Sequence, residues 1–357
     1  MVSPGTPDHF GAIPRVDLTM LLSEARVWEQ TGYVIEARAA YDRVIAAAMQ
    51  QRDSPVLAEA LRRRAVLVHQ AGDSVAAEDG LQQSYAVARL AGDGLRAAEA
   101  LNALGGLRIE TGQLDRAQAV LEEAATLAED AAALVARVAQ NLGVIATIRG
   151  DRPSAALYYR RALVAYESLG DAHGKALAHH NLGMLAADGE RWSEADSHFA
   201  ACLSVARAAG DAHLEALCRV NRAEVQLAQG EVTAARAGVE TARWIVDMTG
   251  KRSDLADIER VLALCDRAEG KLDQAEGRLQ QARTLAAQLG APLTAAEAAH
   301  ELGRLYQAMN RSGEARHYLE LALRAYTELG AENDAARARA DLATLEGGQG
   351  HRSPARR

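Results

Sequence analysis

The sequence predicts an all-α solenoid of helical hairpins, and three observations carry that prediction. Apolar residues make up 49% of the 357 residues but aromatics only 4%, so alanine and leucine must supply the buried surface. That palette suits many small helix–helix contacts rather than one large core of rings. A small residue followed twelve positions later by Ala recurs along the chain, and glycines stand between the members of most pairs. Self-similarity at a fixed step marks a repeat architecture, which overrides the two-domain expectation from length alone.

The pairs run, in order, Ala25 with Ala37, Ala65 with Ala77, Gly105 with Ala117, Gly143 with Ala155, Gly183 with Ala195, Ala223 with Ala235, Ala263 with Ala275, and Gly303 with Ala315. They recur every 40 residues apart from one step of 38, where "AEDAAAL" shortens the connection between the third and fourth. Small residues belong where two helices cross closely, because anything larger than a methyl would push them apart. Four residues after each second-helix Ala comes Tyr41, Leu81, Leu121, Tyr159, Phe199, Val239, Leu279 or Leu319. These large side chains lie one turn on along the same face and fill the space between helices.

Gly32, Gly72, Gly112, Gly150, Gly230 and Gly270 separate the two helices of six units, with Glu190 and Asn310 in the other two. Gly, and less often Asn, provides the left-handed backbone that ends a helix. A second mark, Gly92-Asp93, Gly170-Asp171, Gly210-Asp211, Gly250-Lys251, Gly290-Ala291 and Gly330-Ala331, closes the second helix, with Asp placed to cap the next. Ala343 follows at the same step without a partner and predicts a closing helix. The expected organisation is an N-terminal tail over 1–17, a solenoid of eight hairpins plus a capping helix over 18–345, and a disordered basic tail over 346–357.

The stretches "NLGVIATIRGDRPSAALYYRRAL", "NLGMLAADGERWSEADSHFAACL" and "ELGRLYQAMNRSGEARHYLELAL" resemble the tetratricopeptide repeat family, and the likeness runs from about Leu18 to Leu345. The common unit of that family is about 34 residues with a proline near the end of its second helix. The longer units here, which lack that proline, are similar to the variant of kinesin light chains, spindle-orientation scaffolds, bacterial peptide-pheromone receptors and helical effector domains of bacterial transcription activators. The resemblance implies a right-handed superhelix with a concave groove lined by the first helix of each unit. The first unit fits less well, since Glu24 and Arg64 stand where later units have Leu104, Leu142, Leu182, Leu262 and Leu302, as suits a solvated end.

On that face, two residues before the small position, stand Asn141, Asn181 and Asn221 in three successive units. An Asn side chain carries a donor and an acceptor, so a ladder of them can hold the N–H and C=O groups of an extended peptide. Equally, each can hydrogen-bond a neighbouring helix. Gln140, His180, Val220 and Met184 extend this region, and Arg260, Arg267, His300 and Arg304 follow toward the C-terminal end. The centre is thus apolar and amide-lined beside a cationic end that would suit an acidic partner segment. Glu297 and Glu301 lie close enough to neutralise those arginines in solvated salt bridges. The family's carboxylate-clamp lysines have no counterparts here, so a chaperone-tail receptor is not expected.

Catalysis has no visible apparatus: no phosphate loop, nucleophile elbow or dinucleotide fingerprint occurs. The densest titratable cluster is His179, His180 and Asp188, and adjacent helical residues point about 100° apart, which does not favour a shared metal. No metal and no cofactor are expected. Cys202 falls where other units place Ala124, Ala162, Ala242, Ala282 and Ala322, which reads as a small buried residue. Three cysteines without ligand spacing argue against a disulfide framework. Trp28, Trp192 and Trp244 read as inter-helix packing. A net charge of -8 argues against a nucleic-acid surface, and no run approaches membrane-span length, so a cytoplasmic chain is the expectation. The leading function is non-enzymatic binding of a protein or peptide segment; the alternative is a sensor of a small peptide or metabolite that controls an effector protein. Self-association through solenoid ends is a further option.

Overall fold

The computed structural model describes residues 16–128, 131–250 and 252–349, with side chains as far as Glu346. Among these residues it contains seventeen α-helices, one 3-10 turn and no strand. Contacts divide the chain into two compact units, residues 1–169 and 170–357.

The first unit holds four hairpins: α1 (Leu18–Gln30) with α2 (Val34–Gln51), α3 (Ser54–Gln70) with α4 (Ser74–Leu90), α5 (Gly94–Glu110) with α6 (Leu114–Leu127), and α7 (Ala132–Ile148) with α8 (Arg152–Leu169). The second holds α9 (Ala172–Asp188) with α10 (Trp192–Ala209), α11 (Ala212–Ala228) with α12 (Val232–Thr249), α13 (Leu255–Ala268) with α14 (Leu272–Leu289), and α15 (Pro292–Ala308) with α16 (Ser312–Glu328). The 3-10 turn Arg252–Asp254 precedes α13, and α17 (Glu332–Gln349) stands alone at the end as the expected closing helix. Helix α6 is short, 14 residues, which accounts for the step of 38.

Three residues join the two helices of every hairpin, and the middle one always has positive φ. Glu190 (φ 55°) and Asn310 (φ 59°) adopt the same conformation as the six glycines, at a steric cost that Gly avoids. Between hairpins, Asp93, Asp171 and Asp211 accept backbone N–H bonds from Arg96, Gly174 and Leu214, as their position after Gly predicts. Asp53 and Asp73 do the same for α3 and α4.

The small positions are buried, and the large residue expected nearby is what crowds them. A Cβ added to Gly143 would meet the Tyr159 ring at 2.5 Å, one on Gly183 the Phe199 ring at 2.8 Å, and one on Gly303 the Leu319 Cγ at 2.6 Å. Carbon atoms pack at about 3.5–4.0 Å, so the side chain of the second helix occupies the missing volume, joined at Gly303 by the Leu319 backbone nitrogen at 3.2 Å.

Within each unit the first helices of successive hairpins touch: α3 with α5 and α5 with α7, then α9 with α11, α11 with α13 and α13 with α15. Second helices of successive hairpins stand further apart. The first helices therefore line the tighter, inner face of each stack.

Three expectations are modified. Cys202 is fully buried but is joined to Cys218 in a disulfide, because its neighbour across the hairpin interface is also a cysteine. Trp244 is 62% exposed on α12 instead of packed between helices. Helix α17 runs to Gln349, past the boundary read at 345, since Gly weakens a helix without forbidding it. The remainder of both expected tails, 1–15 and 350–357, lies outside the described residues, as does Lys251.

Candidate functional site: the inner face of the first helices

Neighbouring first helices are tied by polar bonds in a shared register. The residue three before one small position pairs with the residue two before the next: Asn102 accepts from Asn141 Nδ2 at 3.1 Å, and His180 Nε2 accepts from Asn221 Nδ2 at 2.7 Å. His300 Nε2 and Asp341 lie 2.8 Å apart in the same relation. Asn141 and Asn221 thus bond to a neighbouring helix through one amide hydrogen, one of the two roles open to them from the sequence.

His180 sits at the centre of this pattern in the second unit. Because Asn221 donates to its Nε2, the proton resides on Nδ1, which faces Asn181 Oδ1 at 3.4 Å. Burial pushes the His180 pKa down, opposed by Asn181, so the ring is held neutral. Its ring packs 5.9 Å from that of Phe199, whose place depends on the absent side chain at Gly183. The relay orients both asparagines and leaves their other polar atoms without protein partners among the described residues: the Nδ2 donors of Asn181 and the Oδ1 acceptor of Asn221. Met184, 39% exposed, stands one turn on, and Val220, at the register of His180 on α11, is buried. The adjacent His179 turns the other way, its Nδ1 3.2 Å from that of His198 on α10. The pair of histidines therefore does not converge, and among the described residues no group of three or more metal-ligating side chains forms.

In the first unit, Gln140 and Asn141 hold the equivalent positions on α7, and Gln140 Oε1 is buried without a protein partner. The cationic end is closed internally. Arg260 is paired with Glu224 at 2.6 Å, Glu297 at 3.3 Å and Asp257 at 3.4 Å. Burial disfavours its charge, but these three carboxylates hold it protonated. Burial, with Glu224 and Asp257 nearby and against the pull of Arg260, pushes Glu297 up to about 7. Arg267 pairs with Glu301 at 2.6 Å, and Arg304 with Asp341 at 2.6 Å and Glu301 at 3.3 Å. Burial likewise lowers the His300 pKa, opposed by its bond to Asp341. Around Arg260 three carboxylates face one guanidinium, the reverse of a free cationic patch.

Sequence reading missed Asn102, Glu224, Asp257 and Asp341. For Asn102 and Asp341 the signal was the register itself: Asn102 stands where Gln140 and His180 do, and Asp341 where Asn181 and Asn221 do.

Hairpins with these small positions, left-handed turns and a shared inner face define a tetratricopeptide repeat protein, and a tetratricopeptide repeat family matches residues 98–130. The family described as Suppressor of spindle checkpoint defect 1 C-terminal domain matches residues 142–335, more than half of the chain, and the chain belongs to it. No curated protein matches the sequence. Among solved structures, the apo form of RapI is similar at a TM-score of 0.66 and 12% identity, covering 77% of this chain and 99% of that one. A Rap protein complexed with Competence and Sporulation Factor gives 0.62 and 14%, covering 92% and 97%. A signal transduction ATPase with a tetratricopeptide repeat sensor from Pyrococcus horikoshii gives 0.63 and 16%, covering 90% of this chain and 50% of that one. These likenesses concern the fold. No helix among the described residues is long and apolar enough to cross a membrane.

Proposed function

We propose that the protein is a non-enzymatic interaction module whose inner face takes an extended peptide or protein segment, with Asn181 and Asn221 as backbone anchors and His180 as the residue that positions them. One observation carries this reading: the His180 relay fixes two amides while leaving a donor on one and an acceptor on the other unpaired at a half-buried surface. Those are the two groups an extended backbone requires of its receptor, and holding them in advance lowers the ordering cost of binding. Met184 adds apolar contact. Gln140 and Asn141 offer similar chemistry on the first unit. Arg260, Arg267, His300 and Arg304 serve this face by joining helices, and their carboxylate partners favour a neutral or basic segment over an acidic one.

The test is a peptide selected from a random display library on the full-length chain, with affinity measured by calorimetry. Asn181→Ala with Asn221→Ala should weaken binding at least about tenfold, the worth of one or two lost hydrogen bonds, with unchanged helicity. Unaltered affinity overturns the assignment.

The second reading, a sensor that changes shape to control an effector, is supported by the Rap protein of similar fold that is complexed with Competence and Sporulation Factor. Solution scattering with and without the selected peptide separates the two, because a sensor alters its overall dimensions and a passive scaffold does not.

A further inference from the structure

Cys202 on α10 and Cys218 on α11 are bonded, and both are fully buried. The bond therefore crosses from one hairpin to the next. At the register of Cys202 other units carry Val44, Ser84, Ala124, Ala162, Ala242, Ala282 and Ala322; at that of Cys218 they carry Ala60, Ala100, Val138, Ala178, Ile258 and Ala298. Elsewhere this interface is closed without sulfur, mostly by alanine, so sulfur is not needed there for packing. The disulfide lies in a cluster with Ala176, Leu203, Ala206 and Leu214, against which Leu177 and Leu217 pack. Those two leucines stand on α9 and α11, one turn before His180 and Asn221 respectively.

We propose that the Cys202–Cys218 bond is a redox-installed staple that fixes α11 on α10 directly behind the binding face, so that oxidised and reduced chains differ in the rigidity of that face. The bond forms by exchange with a small disulfide such as oxidised glutathione. One cysteine thiolate attacks the donor S–S bond and expels a thiolate; the second thiolate attacks the mixed disulfide, forms Cys202–Cys218 and expels the other. Both cysteine protons end on the two released thiols. Because both sulfurs are inaccessible, exchange requires the α10–α11 contact to open, and the closed bond is shielded from reductant. Cys265, the third cysteine, is buried and free, and burial pushes its thiol up to about 11, which keeps it from competing. The staple joins positions 16 apart in sequence and constrains the locally unfolded ensemble.

The test uses the full-length chain without any ligand, so its outcome is separate from that of the peptide-binding reading. The protein is equilibrated in buffers from fully reduced to fully oxidised glutathione, quenched with an alkylating agent, digested and weighed; parallel samples undergo hydrogen exchange. The expected result is Cys202 linked to Cys218 with Cys265 alkylated in the oxidised samples. Amides of α10 and α11 should then exchange roughly 100-fold more slowly than in the reduced chain. Cys202→Ala with Cys218→Ala, which restores the alanines of other units, should fold and match the reduced chain in every buffer. Alkylation of both cysteines throughout, pairing with Cys265, or equal exchange in the two forms overturns the proposal.

Discussion

At Gly303 not even a methyl group fits: its Cβ would lie 2.6 Å from Leu319 Cγ and 3.2 Å from the Leu319 backbone nitrogen. A backbone atom cannot rotate away, so Gly303→Val must separate α15 from α16 and should cost about 1–3 kcal/mol in denaturant unfolding of the full chain. Gly277, inside α14 with nothing within 4 Å of its would-be Cβ, provides the contrast. Gly277→Ala should stabilise by about 0.5–1 kcal/mol through helix propensity alone. Equal effects at the two glycines would contradict the packing account. Glu297 makes a second prediction at this scale. Its pKa is raised to about 7 by burial, so the folded chain binds this proton more tightly than the unfolded chain. The stabilisation is therefore complete below the ordinary carboxylate range and is lost as pH rises toward and through 7. Glu297→Gln removes the loss, so melting temperatures of wild type and variant, compared from pH 4.5 to 8, should diverge with the variant gaining as pH rises. Parallel curves would show that burial, with Glu224, Asp257 and Asp334 nearby, does not hold Glu297 in that state.

Along an element, the repeat pattern was legible because sterics act on single residues at fixed spacing. Gly183 with Phe199 and the three-residue turn at Glu190 follow from size and backbone freedom, which a sequence displays directly. The hydrogen-bonded links between elements were not legible, because partners such as His180 and Asn221 are 41 residues apart and are chosen by side-chain reach. The same holds for α13, whose Glu259 and Asp266 are buried and gripped from α12 and α14. Arg243 and Arg278 bond Glu259, and Arg236 and Arg278 bond Asp266. Among the described residues Arg278 alone touches both carboxylates, at 2.7 and 2.8 Å. Arg278→Met should destabilise the second unit by on the order of 3 kcal/mol, since it strips a partner from two buried charges. A loss under half that in urea unfolding would mean Arg236 and Arg243 suffice. The cysteine pair escaped notice for a related reason: each sulfur occupies an alanine position, and only the register of adjacent hairpins shows that the two positions face each other.

For the whole molecule, stability in a stack of hairpins is approximately a sum of unit terms and neighbour interfaces, so local changes need not unfold distant hairpins. The substitutions above should accordingly act within the unit that contains them. A division of labour is also set within each unit: first helices meet along the inner face and carry the amide links between neighbouring hairpins, while second helices present the exposed Trp244, Met248, Leu157 and Val164. Hydrogen exchange of the full chain, with and without the library-selected peptide, tests this division most directly. Slowed exchange concentrated on α9 and α11, around His180, Asn181 and Asn221, is the predicted result. Protection confined to α10 and α12, or to no first helix, would contradict the assignment of the binding face.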